Sequence, residues 1–422
     1  MPEKPPVVAT FRSYWRIVAL LMLVAAVGHF NRVGMSVAGN KRILEQYHFQ
    51  PAQMGLVYSA FLCCYTLAML PGGWFIDRFG ARAALGAFML ASAVFVALTA
   101  GVGRVFHEPL AVWIGLLVVR SLMGISNAPL HPAAARMVFE HAPPGSRSRA
   151  NGVVTFAACV GIAATYYVLG TLIERVDWPQ ALLICSGVTL AVAGVWLWGT
   201  RPADAAAVAK PPAAPRLADM LRLLGRRSVL CITLSYAALG FFQYLFFYWI
   251  EYYFETVQKQ GALARLYSTG IVLAMGLGMA CGGWLADRVT AVFSRHGKML
   301  VPAAGLFTAG VVFELGLLCS DMRLTLAAFT AAAALLGACE GPFWTTVVEL
   351  GGKHGGTAAA VMNTGGNAGG TLSPYLTPLL GGYFAAHFGE GLGWRLGLSV
   401  AGAISILGAT LWWGVSTDGD AK

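Results

Sequence analysis

Apolar runs of about 20 residues recur along the whole chain and limit the folds it can adopt. A helix of that length crosses a hydrocarbon core of about 30 Å. Hydrophobic residues make up 57% of the 422 residues and charged residues only 11%, whereas about a quarter of a soluble sequence is charged. Embedded backbone needs internal hydrogen bonds, and the runs do not alternate as barrel strands do. The sequence therefore predicts an all-α membrane protein.

Twelve runs are predicted to span the membrane, and we number these predicted spans in chain order. The first is too long for the core of a signal peptide, so it is retained as a helix. The spans cover approximately 14–37, 53–75, 83–103, 109–137, 150–172, 180–199, 228–252, 266–285, 299–319, 324–348, 357–384 and 394–414.

A polar connection, residues 200–227, separates two sets of six predicted spans. We expect an N-terminal six-helix bundle over 1–199 and a C-terminal six-helix bundle over 228–422. Within the connection, leucines and a methionine recur at helical spacing beside arginines. This pattern predicts an amphipathic helix on the cytoplasmic surface.

Positive charge is distributed unevenly between the two sides of the predicted bundle. Twelve spans place both termini on one side, and that side carries 18 Lys and Arg residues against 8 on the other. Such an excess marks the cytoplasmic side. The formal net charge of +10 is therefore a topology signal and does not indicate a nucleic-acid partner. We expect a multi-pass protein of the inner or plasma membrane with both termini in the cytoplasm.

Two sequence patterns occur once in each half of the chain. The first pair is Gly72-Gly73-Trp74-x-x-Asp77-Arg78 and Gly282-Gly283-Trp284-x-x-Asp287-Arg288; the second is Gly124-x-x-Asn127-x-Pro129 and Gly337-x-x-Glu340-x-Pro342. The offsets of 210 and 213 residues are close to half the chain length. Parallel repeats with a shared site near the bilayer midplane are typical of secondary transporters.

The segment after predicted span 2 resembles the signature of the major facilitator superfamily, and the resemblance covers nearly the whole chain. The matching residues are Gly73, Asp77, Arg78, Gly80 and Arg82. The resemblance implies the major facilitator fold, with twelve helices in two pseudo-symmetric halves. It also implies that Asp77 and the arginines make charge contacts that hold the cytoplasmic gate in one state. Asp287 and Arg288 are the equivalents in the second half.

Four further segments resemble the anion:cation symporter branch, which carries sugar acids and other organic anions. They are Asn31-Arg32, Arg120-x6-Asn127-Ala128-Pro129, Gly341-Pro342-Phe343-Trp344, and Asn363 to Gly370 followed by Ser373-Pro374. That branch uses an Asp in span 1 and a Glu in span 4 to handle protons. This chain has Asn31 and Asn127 there, so the usual proton-coupling scheme does not carry over intact.

Arg32 and Arg120 lie well inside predicted spans, where an arginine costs roughly 2.5–3.5 kcal/mol. A guanidinium presents a planar fork that fits a carboxylate, and the resemblance implies that Arg32 holds the substrate carboxylate. The alternative is a buried contact that fixes helix packing, and both interpretations stay open for Arg120. The other predicted substrate-binding residues are Tyr65, Asn127, Tyr236, Gln243, Trp344, Asn363 and Asn367.

Three residues are candidates for coupling transport to a proton. Glu340 is the repeat equivalent of Asn127, so the missing carboxylate has a counterpart in the other half. His29 lies one helical turn before Arg32, and Asn31 occupies the position of the family's acid. A structural hydrogen bond is the alternative for Glu340, and a structural role is equally compatible with His29.

The sequence predicts a secondary active transporter that moves a small organic anion, such as a hexuronate, aldonate or aldarate, by alternating access. A proton or another cation is the expected coupling ion. The alternative is a proton-independent exchanger or facilitator, because Asn31 and Asn127 replace the usual acids. A channel or a sensor fits less well. The motifs of an enzyme are absent from the sequence, and we expect no metal, no cofactor and a functional monomer.

Overall fold

A computed structural model describes residues 11–143, 146–200, 222–293, 297–352 and 355–416, and every regular element in these ranges is helical. The described helices follow the apolar runs because each run satisfies its own backbone hydrogen bonds. The all-helical fold predicted from the sequence is therefore confirmed.

The first half of the chain contains nine helices. They are α1 (Phe11–Ala38), α2 (Pro51–Leu67), α3 (Met69–Phe79), α4 (Ala81–Val105), α5 (Pro109–Asn127), α6 (Leu130–His141), α7 (Arg147–Ala164), α8 (Gly170–Val176) and α9 (Trp178–Gly199). Wider π-helical turns follow α1 at Gly39–Ile43 and join α7 to α8 at Thr165–Leu169.

The second half contains six long helices. They are α10 (Arg227–Tyr248), α11 (Leu263–Phe293), α12 (Gly297–Leu318), α13 (Met322–Gly351), α14 (Gly355–Phe388) and α15 (Glu390–Thr410). A π-helical turn at Tyr253–Val257 lies between α10 and α11. The predicted amphipathic helix of 200–227 falls mainly on residues 201–221, which lie outside the described ranges.

By length and apolar composition, ten described helices can cross a membrane, or eleven if a bent pair counts as one span. The sequence predicted twelve. The bent pair is Pro51–Leu67 with Pro71–Phe79, whose axes differ by 55°. The remaining predicted span corresponds to α14, which is 34 residues long. Its glycines, asparagines, threonines and prolines lower its apolar character without breaking the helix.

Short connections place the chain's turns alternately at two ends of the bundle. We call the end with the α3–α4 turn at Gly80 the motif face, and the end with the α1–α2 connection the opposite face. Gly80 has a φ of +83°, in the region that favours glycine, so the turn between α3 and α4 depends on it. The described ends of the chain lie on the motif face, near the start of α1 and the end of α15.

Three helix pairs join the two halves along a seam: α1 with α10, α2 with α14, and α7 with α11. Gly55 of α2 allows the closest approach, because a Cβ there would lie 2.2 Å from the carbonyl oxygen of Pro374. The Ser59 hydroxyl donates to the carbonyl of Thr371 at 2.6 Å, and the Asn40 amide donates to that of Tyr248 at 2.9 Å. These contacts lie toward the opposite face, where the seam is closed.

The motif residues make their contacts within the first half. Asp77 accepts from Arg136 of α6 at 3.0 Å, and Arg136 also pairs with Glu140 at 2.8 Å. Arg82 donates to the carbonyls of Thr200 and Leu197, each at 3.0 Å. These bonds fasten α3 to α6 and α4 to α9 at the motif face.

The other gate residues named from the sequence have less defined surroundings. Arg78 is exposed, and Gly73 has no atom within 4 Å of a Cβ position. Arg288 lies over the ring of Trp284 at 4.7 Å, and the Asp287 side chain is outside the described set. The gating role of this motif stays a prediction.

Candidate functional site

Arg32 of α1 is buried at the seam among aromatic rings. Its guanidinium carbon lies 4.6 Å from the ring centre of Tyr65, 5.4 Å from Tyr244 and 5.6 Å from Phe61. One terminal N–H donates to the Tyr244 hydroxyl of α10, so the bond crosses from one half to the other. The ring faces offer partial negative charge to the cation and restrict its orientation.

The described partners of Arg32 are neutral. No ion pair among the described residues includes this arginine. A guanidinium that is 7% exposed is costly without an anion, because ring faces and one phenol oxygen replace only part of its hydration. The pocket is therefore suited to receive a carboxylate or another oxyanion.

Arg120 of α5 points at the backbone of α1. One terminal nitrogen donates to the carbonyl of Arg32 at 2.7 Å, and the other lies 3.4 Å from the carbonyl of Asn31. Its guanidinium also lies 4.7 Å from the Phe61 ring centre. Arg120 thus fixes the segment of α1 that carries Arg32, and these contacts favour the packing interpretation left open by the sequence.

The two asparagines at the positions of the family's acids bond within the first half. Asn31 donates to the Thr189 hydroxyl at 2.8 Å, and Asn127 donates to the carbonyl of Met123 at 2.8 Å. A cavity of about 10 Å³ beside Asn31 and Arg120 has room for about one water. This space is too small for a sugar acid.

His29 forms a pair with His131 of α6. Its Nδ1 lies 3.0 Å from the Ala25 carbonyl, which can only accept, so Nδ1 carries the hydrogen. Its Nε2 is 3.2 Å from the Nε2 of His131. Neutral His29 therefore accepts at Nε2, and His131 donates. The sequence placed His29 near Arg32 but did not indicate this histidine pair.

Glu340 of α13 is held by two aromatic donors. Its Oε1 accepts from the Tyr236 hydroxyl and from the Trp344 indole N–H, the latter at 3.0 Å. Its Oε2 is buried and has no hydrogen-bond partner among the described residues. The structure therefore brings three of the predicted site residues into one cluster on the second half.

The remaining predicted residues line the seam near these two clusters. The Gln243 amide nitrogen lies 3.8 Å from the Met275 sulfur. The amide nitrogens of Asn363 and Asn367 lie 3.9 and 3.5 Å from the sulfur of Met69 on α3. Because Met69 belongs to the first half, the two asparagines of α14 face across the seam.

Sequence reasoning missed Tyr244 and Phe61, both of which contact Arg32. A signal for Tyr244 was present, because it continues the four-residue spacing of Tyr236 and Gly240 on α10. Phe61 had no such signal. It is one of 23 phenylalanines in a chain rich in apolar helices, and only the packing of α2 shows which of them meets the arginines.

The sequence profile of the Major Facilitator Superfamily matches residues 18–374. This match covers more than half of the chain. The chain therefore belongs to the Major Facilitator Superfamily.

Several curated relatives are similar over much or all of the chain. A probable sulfoacetate transporter of Cupriavidus necator is 25% identical over 93% of this chain and 91% of its own length. A D-galactonate transporter of Escherichia coli is 26% identical over 65% and 67%. A hexuronate transporter of Bacillus subtilis is 22% identical over 93% of each protein.

Solved structures share the fold. A bacterial homologue of the human lysosomal transporter Spinster, solved inward-facing and unoccupied, aligns with a TM-score of 0.75 at 17% identity, over 96% of this chain and 97% of its own. A D-xylose–proton symporter aligns with a TM-score of 0.69 at 16% identity, over 97% and 99%. At these identities the likeness establishes the fold alone.

Proposed function

We propose that this Major Facilitator Superfamily protein transports a small organic anion, a sugar acid, by alternating access between its halves. The observation that carries the proposal is Arg32, a buried cation at the seam whose described partners are neutral. The relatives named for sulfoacetate, D-galactonate and hexuronate support the substrate class, since each name denotes a small anion with a carboxylate.

Arg32 binds the substrate carboxylate in this proposal. The anion takes the place of the Tyr244 hydroxyl, and two parallel N–H···O bonds replace one bond to a phenol oxygen. Arg120 contributes indirectly, because its bond to the Arg32 carbonyl keeps α1 in place while the guanidinium changes partner. The rings of Tyr65 and Phe61 hold the guanidinium in both states.

The hydroxylated body of the substrate extends along the seam toward the second half. Asn363, Asn367 and Gln243 have amide groups whose described side-chain contacts are to methionine sulfur. Sulfur is a weak acceptor, so sugar hydroxyls would be better partners for these amides. Trp344 offers a ring face of intermediate exposure at the same level.

Glu340 is the coupling residue in this proposal. The ionised carboxylate would leave Oε2 as a bare buried anion, whereas a proton on Oε2 removes that charge. Tyr236 and Trp344 hold Oε1 in either state. Asn31 carries no titratable proton and bonds to Thr189, so it does not couple in this scheme.

We place the motif face in the cytoplasm, because the basic connections and both chain ends belong to that side. The protein then lies in the inner or plasma membrane, and the closed seam at the opposite face leaves the site open toward the cytoplasm. All the residues assigned to substrate and coupling belong to one chain, which is consistent with a functional monomer.

Uptake by proteoliposomes tests the proposal. The panel is radiolabelled galactonate, glucuronate, galactarate and sulfoacetate, with and without an inward proton gradient. At least one anion should accumulate above its outside concentration only with the gradient. Fast counterflow without accumulation would support a proton-independent exchanger, and no uptake of any anion would contradict the proposal.

A variant of Arg32 and a matched control locate the anion site. Arg32→Ala should abolish uptake of the accepted anion, because the site loses its cation. Arg104→Ala removes an exposed arginine that bonds only Gln180 near the opposite face, and it should transport normally. Unchanged uptake by Arg32→Ala would remove this arginine from the substrate site.

A further inference from the structure

A second charged cluster lies at the opposite face, separate from the Arg32 and Glu340 clusters. The first half contributes Lys41 and Glu174, and the second half contributes Glu251, Glu255 and Arg265. The Lys41 ammonium lies 3.0 Å from Glu255, 3.7 Å from Glu251 and 3.8 Å from Glu174. Arg265 forms an ion pair with Glu174 and donates to Thr171 at 3.0 Å.

Most of these ion pairs cross the seam. Lys41 reaches two carboxylates of the other half, and Arg265 reaches back to Glu174 of the first half. The cluster therefore exists as a unit only while the halves meet at this face. Separation of the halves would expose its members to water and divide them.

The cluster has more carboxylates than cations. Lys41 and Arg265 supply two positive charges, and the three glutamates supply three negative charges when ionised. The side chains of Glu174 and Glu255 are 43% and 28% exposed, so water can stabilise their charges. Glu251 is 1% exposed, so the surplus negative charge falls on the least hydrated member.

Glu251 is poorly satisfied as an anion. Neither of its carboxylate oxygens has a hydrogen-bond partner among the described residues, and the nearest cation stays 3.7 Å away. A buried carboxylate without hydrogen bonds favours its neutral form. One proton would remove the surplus charge and leave two cations facing two ionised carboxylates.

The position of Glu251 makes its titration relevant near neutral pH. It follows Tyr248, where the seventh spanning helix ends. Burial raises the pKa of Glu251 to about 8, and the Glu255 charge acts in the same direction. Lys41 and Arg265 oppose this shift without cancelling it.

We infer that Glu251 is a proton-binding site of the seam, occupied when the halves close the opposite face and vacated when they part. The exposed carboxylate would return toward its ordinary pKa of 4.5. Closure then takes up a proton between about pH 4.5 and 8. Closure is favoured as the pH falls through this window, and the advantage is lost as the pH rises through 8.

Groups from every neighbouring element have been considered in this assignment. The titratable and charged groups around Glu251 are Lys41 in the turn after α1, Tyr58 of α2, Tyr166 between α7 and α8, Tyr248 of α10, Glu255 before α11 and Arg265 of α11. Three of these are phenols that titrate well above this pH window. Glu251 is therefore the group whose protonation follows closure.

Distances between spin labels at the opposite face test the inference without any substrate. Labels are placed on His107→Cys of the first half and Ala262→Cys of the second, in a chain whose eight native cysteines are replaced. Electron–electron double resonance in lipid nanodiscs then gives the fraction of separated halves from pH 5 to pH 9. That fraction should increase with pH in the wild-type background.

Variants of Glu251 attribute the effect. Glu251→Gln should hold the low-pH distance distribution at every pH, Glu251→Asp should restore the titration, and exposed Glu45→Gln should behave as the wild type. A wild-type distribution that does not change with pH would overturn the inference. An unaltered titration in Glu251→Gln would overturn it as well.

Two further measurements keep the test decisive if Glu251→Gln fails to fold. Lys41→Gln removes the nearest cation and should move the midpoint to higher pH, whereas an unchanged midpoint contradicts the assignment. The titration is repeated in sodium and in choline buffers. A midpoint that depends on sodium would assign a sodium site instead of a proton site. The inference requires moving halves, as the proposed function does, but it stands even if no anion is transported.

Discussion

At the residue scale, the two arginines inside the membrane have different surroundings. Arg120 spends its N–H groups on carbonyls of α1, and such contacts stabilise a fixed arrangement. Arg32 meets ring faces and one hydroxyl, which an anion can replace. The difference arises from direction, since α5 aims its arginine at a helix backbone and α1 aims its arginine at the seam.

Tyr244→Phe should strengthen substrate binding by about threefold to tenfold. The substrate carboxylate must displace the Tyr244 hydroxyl from Arg32, and a hydrogen bond of this kind contributes about 1 kcal/mol net. Titration calorimetry of the purified protein with the accepted anion measures the change. Weaker binding in this variant would indicate that the hydroxyl contacts the substrate directly. Tyr167→Phe, at an exposed position of the first half, serves as the control.

Glu340→Gln should separate coupling from binding. The amide keeps an acceptor for Tyr236 and Trp344 but cannot release a proton. Accumulation driven by a proton gradient should be lost, while counterflow of the labelled anion continues. Both are measured in the same proteoliposomes. Full gradient-driven uptake in this variant would rule out Glu340 as the coupling group and direct attention to the His29–His131 pair.

At the scale of elements, the seam depends on small residues in facing helices. Gly55 of α2 lies against the Pro374 carbonyl of α14, and Gly240 of α10 lies against the Gly366 carbonyl of the same helix. Close backbone approach of this kind is a common basis of helix association in membranes. The glycine-rich α14 was the least apolar of the predicted spans, and these contacts explain why its composition departs from the others.

Gly55→Ala should weaken closure of the opposite face. The added methyl group would lie 2.2 Å from a backbone oxygen that cannot move aside alone, and such overpacking costs about 1–3 kcal/mol. The spin-label pair at 107 and 262 should report a larger separated fraction. Gly101→Ala in α4 is the matched control, because its Cβ position has no atom within 4 Å. Equal distance distributions in the two variants would contradict this role for Gly55.

At the scale of the whole molecule, the halves are joined mainly by packing and polar contacts along the seam. Each half also has its own internal fastenings, such as the Asp77–Arg136 pair and the bonds from Arg82 to the end of α9. A body held together in this way can rotate against its counterpart without unfolding. Rigid halves are what alternating access requires.

The protein divided after residue 210 should reassemble from two co-expressed chains. The seam contacts of α2 with α14 and of α7 with α11 do not require a continuous chain. A tag on one chain should copurify the other, and the pair should retain uptake. Division at residue 107 is the control, because it separates α4 from α5 within one half and should reduce recovery. Failure of the first pair to copurify would show that the halves do not fold separately.

The sequence by itself determined the helical class, the order of the helices and the repeat. Long apolar runs leave the backbone no alternative to helices, and the doubled patterns mark equivalent turns in the two halves. The sequence also indicated Arg32 and Glu340 as exceptional, because a charge inside an apolar run is expensive wherever the helix packs. These inferences are local, and no tertiary contact is needed for them.

Only the tertiary structure decided what each charged side chain meets. Arg32 and Tyr244 lie 212 positions apart, and Lys41 and Glu251 lie 210 apart, so no spacing within one helix connects them. Their contacts arise where two halves meet, and a helix can present any of its faces to that seam. The packing of the seam separated the anion-accepting arginine from the structural one, and it assembled a charged cluster that the sequence did not reveal.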